Sequence, residues 1–78
     1  MPRYFFDTRD GDRFMEDDEG AELPDVAAAK GVASVSLAEL ARDVTPTSER
    51  RVLIVEVRDE VRRVLEARLT FEAVLLTH

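Results

Sequence analysis

Residues 52–71 read VLIVEVRDEVRRVLEARLTF, and the two alternating halves of this stretch decide the fold. In the first half Leu53, Val55 and Val57 fall on one side of an extended chain, with Ile54, Glu56 and Arg58 on the other. In the second half Leu65, Ala67, Leu69 and Phe71 share a side, opposite Glu66 and Arg68. A period of two held over this length predicts two strands with one face buried. If Glu60-Val61-Arg62 is a three-residue loop, Val57 lies opposite Leu65, Val55 opposite Ala67 and Leu53 opposite Leu69, so every core residue meets another. That loop demands a left-handed backbone at Arg62, where glycine would be comfortable. Either Arg62 carries strain of about 1 kcal/mol or more, or the loop takes another form.

Upstream of this pair, Leu23-Pro24-Asp25 reads as a helix start: the proline keeps Leu23 extended and Asp25 is placed to cap the first free N–H groups. The apolar stripe Val26, Ala29, Ala33, Leu37, Leu40, Ala41 and Val44 recurs at helical spacing and stops at Thr45, which Pro46 pushes out of helical geometry. About twenty residues make a rod of about 30 Å. Gly31 costs such a helix about 1 kcal/mol against alanine, for the close approach of another backbone or through plain tolerance. Loop Thr45–Glu49 then leads to the strand pair.

Further upstream, Tyr4–Thr8 and Asp12–Glu16 flank Arg9-Asp10-Gly11, with glycine where a bulged three-residue hairpin loop wants it. This register sets Tyr4 against Glu16, Phe5 against Met15, Phe6 against Phe14 and Asp7 against Arg13. The predicted order is ββαββ. It describes one α+β domain over residues 1–78, an antiparallel four-stranded sheet with one long helix packed on one face. The tail from Glu72 to His78 is too apolar to be simply solvated and is expected to cover part of the core or join an interface; its secondary structure stays open.

Charge is divided unevenly along the chain. Residues 1–25 hold nine acidic and three basic side chains, and residues 26–78 hold eight of each, so the whole net charge of −6 sits in the first third. A field of that sign repels phosphate backbones and anionic lipid, which disfavours nucleic acid and membrane surfaces and favours basic partners. No cysteine is present for a disulfide or a thiolate metal site. With no apolar leader and no run near the ~20 residues of a membrane span, the expected location is the cytoplasm.

Met1–Phe6 (MPRYFF), Arg9–Arg13 (RDGDR) and Asp18–Asp25 (DEGAELPD) resemble an uncharacterised family of short bacterial proteins, and the segment Val57–Glu60 fits the same pattern. The family brings no assigned activity, ligand or catalytic residue. It commonly has His where this chain has Asp7 and Gly where it has Arg62, and the first departure argues against a metal or proton-transfer role at Asp7. The acidic hairpin leading into an acid-capped helix is also similar to HicB-type antitoxins, which neutralise a basic RNA-cleaving partner.

Candidate chemistry is sparse. The acids between Asp7 and Asp25 invite a cation, but from Asp7 the third and fifth positions are Arg9 and Gly11, which no EF-hand loop tolerates. The sole histidine is His78 at the terminus, so no nucleophile and base arrangement stands out. Gly11, Gly20 and Gly31 make no phosphate-cradling loop. Arg42, Arg50, Arg51, Arg58, Arg62, Arg63 and Arg68 are interleaved with Glu49, Glu56, Asp59, Glu60 and Glu66, as in ion pairing on a wet strand face.

The expectation is therefore a protein-interaction module with no catalytic residue, no metal and no cofactor. Asp17, Asp18, Glu19 and Glu22 are the candidate contact for a basic protein. The sheet side left bare by a single helix would show Phe5, Met15, Val52 and Ile54 ringed by charge, and self-association to a homodimer is expected through this face or through a sheet edge. A small-ligand or cation-binding regulator using the acidic turns, or an antitoxin-like protein, is the alternative.

Overall fold

A computed structural model describes residues 1–43 and 50–76. Strands β1 (Arg3–Asp10), β2 (Arg13–Met15) and β3 (Ala21–Glu22) precede helix α1 (Val26–Ala41), and strands β4 (Arg50–Arg58) and β5 (Arg63–Glu72) follow it. All pairings are antiparallel, in the order β2-β1-β4-β5, with β3 pairing the opening residues of β1. This is the expected α+β arrangement of an antiparallel sheet and a helix. It has five strands where the sequence predicts four, because the two-residue β3 is too short to show as a periodic pattern.

The core forms where α1 crosses β4 and β5. Leu53, Val55 and Val57 are fully buried beneath Ala29, Ala33 and Leu37, with Tyr4 closing one side. Two alanines among three buried helix positions let the helix axis come close to the sheet. Asp25 caps α1 as expected, its Oδ1 accepting the Ala28 N–H at 2.9 Å. Val26, expected in the stripe, is exposed. A side-chain carbon placed on Gly31 would meet no atom, so plain tolerance explains that glycine. Val44, the stop at Thr45, the loop 45–49 and His78 lie outside the described residues.

The β4–β5 register is the predicted one: Val57 opposite Leu65, Val55 opposite Ala67 and Leu53 opposite Leu69. Its loop takes the other form. No non-glycine residue among those described has positive φ, and Asp59 closes the turn instead. Its Oδ1 accepts the N–H groups of Val61 and Arg62, both at 2.8 Å, while its own N–H donates to the Arg62 carbonyl at 2.9 Å. A register shift between Val57 and Arg58 absorbs the extra residue.

The first hairpin differs from its predicted register. Thr8 lies opposite Met15, Arg9 opposite Phe14 and Asp10 opposite Arg13, around a two-residue Gly11-Asp12 loop. Gly11 has the positive φ of +63° expected of it, at the first loop position, where a type II′ hairpin needs glycine. The cause is a partner the local pattern cannot show. β1 continues to Asp10 because Asp10 pairs with Leu53 of β4, and its carboxylate takes Arg51 in a two-point ion pair at 3.0 and 2.6 Å. The tail is likewise not a cover: beyond β5, Val74, Leu75 and Leu76 are exposed.

Candidate functional site

The side of the sheet without a helix is built from Phe5, Asp7 and Arg9 of β1 facing Arg58, Glu56 and Ile54 of β4. At its centre Asp7 and Glu56 stand directly opposite each other, 6% and 7% exposed. Two like charges so placed repel, and arginines offset this on every side. Arg58 Nε donates to Asp7 Oδ2 at 2.9 Å, and Glu56 is approached by Arg9 at 3.5 Å and Arg63 at 3.4 Å. Two of these guanidinium groups also lie on aromatic rings, Arg58 4.4 Å from the centre of Phe5 and Arg9 4.7 Å from that of Phe14.

Asp17 ties the N-terminal turn to this lattice. It occupies the gap between β2 and β3, where β1 would otherwise present an unpaired edge. Asp17 Oδ2 accepts the Phe6 N–H at 3.0 Å, and Oδ1 accepts those of Glu19 and Gly20 at 3.0 and 3.1 Å. Its own N–H donates to Asp7 Oδ1 at 2.9 Å, and its carbonyl accepts Arg58 Nη2 at 2.9 Å. Partial burial pushes the Asp17 carboxyl up, but the three N–H donors and the Arg58 charge outweigh it and hold the group below the usual aspartate range. Gly20 completes the turn with φ +71°; a Cβ there would lie 2.8 Å from the Tyr4 carbonyl oxygen and 2.9 Å from the Phe5 ring.

The four acids grouped from sequence are thereby separated. Asp17 turns inward, and Glu22 lies 3.6 Å from Arg3. Asp18 and Glu19 are exposed, and neither has an ion-pair partner among the described residues. Of the candidate self-association residues, Val52 and Ile54 lie half-buried on the open side, and Phe5 is half-buried beneath Arg58. Met15 is corrected in placement: paired with Thr8, it belongs to the helix-bearing side, and Phe14 takes the open-side position. The odd shift in register exchanges their faces.

The open sheet edge that the sequence offers as the other route to self-association is, among the described elements, the outer margin of β5. That ten-residue strand pairs only with β4 among the described elements, and Leu69 and Phe71 on its helix side are 39% and 40% exposed. Its length and alternating charges are the signal that pointed there. Near the opposite end of the sheet a pocket of about 280 Å³ is lined by Pro2, Arg3, Glu22, Asp59, Glu60 and Val61, together with Met1. Among the described residues no group of three or more His, Cys, Asp or Glu side chains is gathered as for a metal ion, and no helix is long and apolar enough to cross a membrane.

Residues 3–72 match the family described as a domain of unknown function, DUF6894. The match covers nearly the whole chain, including every strand and the helix, and the chain belongs to that family. No curated protein and no solved structure matches it.

Proposed function

We propose that this chain is a non-catalytic interaction module that works by binding other protein chains in the cytoplasm. The observation that carries this reading is a row of apolar side chains left in water. Leu69 and Phe71 on β5 lead directly into Val74, Leu75 and Leu76, all exposed. Five exposed apolar side chains within eight residues mark a place where another chain sits. The central carboxylates, by contrast, are consumed: both oxygens of Asp7 and both of Asp17 already accept hydrogen bonds within the fold.

Asp18 and Glu19 supply the electrostatic half of the reading. They project from a turn that the Asp17 carboxylate holds by two N–H bonds, so their charge is presented from a fixed position. A basic protein approaching this end is steered by charge, and its association weakens with salt.

The test is affinity capture with the tagged chain beside two variants, Asp18→Lys/Glu19→Lys and Leu75→Glu/Leu76→Glu, each eluted stepwise with salt. The expected result is a stoichiometric basic protein held by the wild type, released at lower salt from the first variant and lost from the second. Recovery of the same proteins in the same steps from all three overturns the reading.

A further inference from the structure

We propose that β5 pairs edge to edge with β5 of a second copy, antiparallel, with Ala67 on the two-fold axis. The inference rests on the interaction reading above and names one partner and one surface for it.

The two margins of the sheet differ. Along β1 the margin is taken up by β2, the Asp17 carboxylate and β3 in succession, so little backbone is left to accept a strand. Along β5 ten residues present their outward N–H and C=O groups with no described element beside them. An open margin of that length is a template for a further strand unless its side chains forbid it.

Its side chains select one strand, namely its own. Pairing across a two-fold axis keeps the helix sides of both copies together only when the axis passes through a residue, because a one-residue slip turns the buried side outward. An axis through Glu66 sets Glu66 against itself, and an axis through Arg68 sets Arg68 against itself. An axis through Leu65 joins only residues 63–67 of the two strands, and through Leu69, Glu66 meets the partner's Glu72. An axis through Thr70 sets Arg68 opposite the partner's Glu72 but joins only residues 68–72, whereas the axis through Ala67 joins residues 63–71 and places Glu66 opposite the partner's Arg68 and Arg68 opposite the partner's Glu66.

The same axis matches the other positions. Leu65 falls opposite the partner's Leu69 on the helix side, and the exposed tail lies beside the partner's exposed Val61. Within one copy Glu66 and Arg68 already form a 2.6 Å ion pair on the open side. In the pair this becomes a four-charge ladder, and the charges that repel other strands fix the register of this one.

Sedimentation equilibrium of the purified chain, of Glu66→Arg, of Arg68→Glu and of an equimolar mixture of the two variants tests the proposal. The wild type is expected to dimerise. Each variant alone, with like charges facing across the axis, should dimerise roughly tenfold more weakly or worse. The mixture should recover wild-type affinity as a heterodimer, because one chain then carries two arginines opposite two glutamates. Both sites are on the solvent side of an edge strand, and circular dichroism of each variant verifies its fold. A wild type that stays monomeric up to millimolar concentration overturns the pairing while leaving the capture experiment to decide the interaction reading. A dimer whose affinity is the same in every sample overturns this surface and register.

Discussion

Asp7 and Asp17, two acids ten positions apart, are joined by a hydrogen bond in which the Asp17 backbone N–H donates to Asp7 Oδ1 at 2.9 Å. The other Asp7 oxygen holds Arg58, so a single buried carboxylate connects the N-terminal turn to the sheet centre. Asp7→Ala removes the acceptor of the Arg58 Nε and of the Asp17 N–H and should cost about 2–4 kcal/mol in urea unfolding. Asp7→Asn keeps an acceptor for the N–H and should recover part of that loss.

Acid should act through Asp17. Its carboxyl is held below the ordinary value of 3.8 when folded, so between its folded and unfolded values the unfolded chain binds more protons. The stability it supplies is fully present above that ordinary value and drains away as pH falls through the folded one. Asp59, lowered by the N–H groups of Arg62 and Val61, acts in the same direction. Asp17→Asn should be less stable than wild type at neutral pH and show a shallower loss below it, measured as urea midpoints across the acid range.

Gly31 and Gly20 should respond to alanine with opposite signs. At Gly31 the added methyl meets open space in a helix, and a gain of about 0.5–1 kcal/mol follows from propensity and a stiffer unfolded chain. At Gly20 positive φ and the Tyr4 carbonyl oxygen both oppose it, and the loss should exceed about 1 kcal/mol. Thermal melts of the two variants against wild type read both.

Arg62→Gly, which would raise the melting temperature if Arg62 were strained, should lower it. The turn is closed by Asp59 with negative φ at Arg62, so glycine relieves nothing and adds freedom to the unfolded chain, a cost of about 0.5–1 kcal/mol. An increase in melting temperature would contradict the Asp59-closed turn.

The parts legible in sequence are those whose partners lie close along the chain. Leu53, Val55 and Val57 alternate against Leu65, Ala67 and Leu69 across a short loop, and Asp25 caps the helix it precedes through an N–H three residues on; both were open to local reading. The first hairpin was not, because its register depends on a strand some forty residues on. Local matching of Phe5 with Met15 and Phe6 with Phe14 cannot know that Asp10 belongs with Leu53 and Arg51. Asp17 was hidden for a related reason. An acid in a run of acids looks solvated until the gap between β2 and β3 gives it the Phe6 N–H to hold.

That one carboxylate also sets how far this molecule can assemble. Among the described residues the β1 margin is sealed by a side chain and two short strands, which leaves an added strand the β5 margin on which to dock. If two copies pair there as proposed, each turns a closed flank outward. Association of this kind ends at two and does not propagate into a fibre.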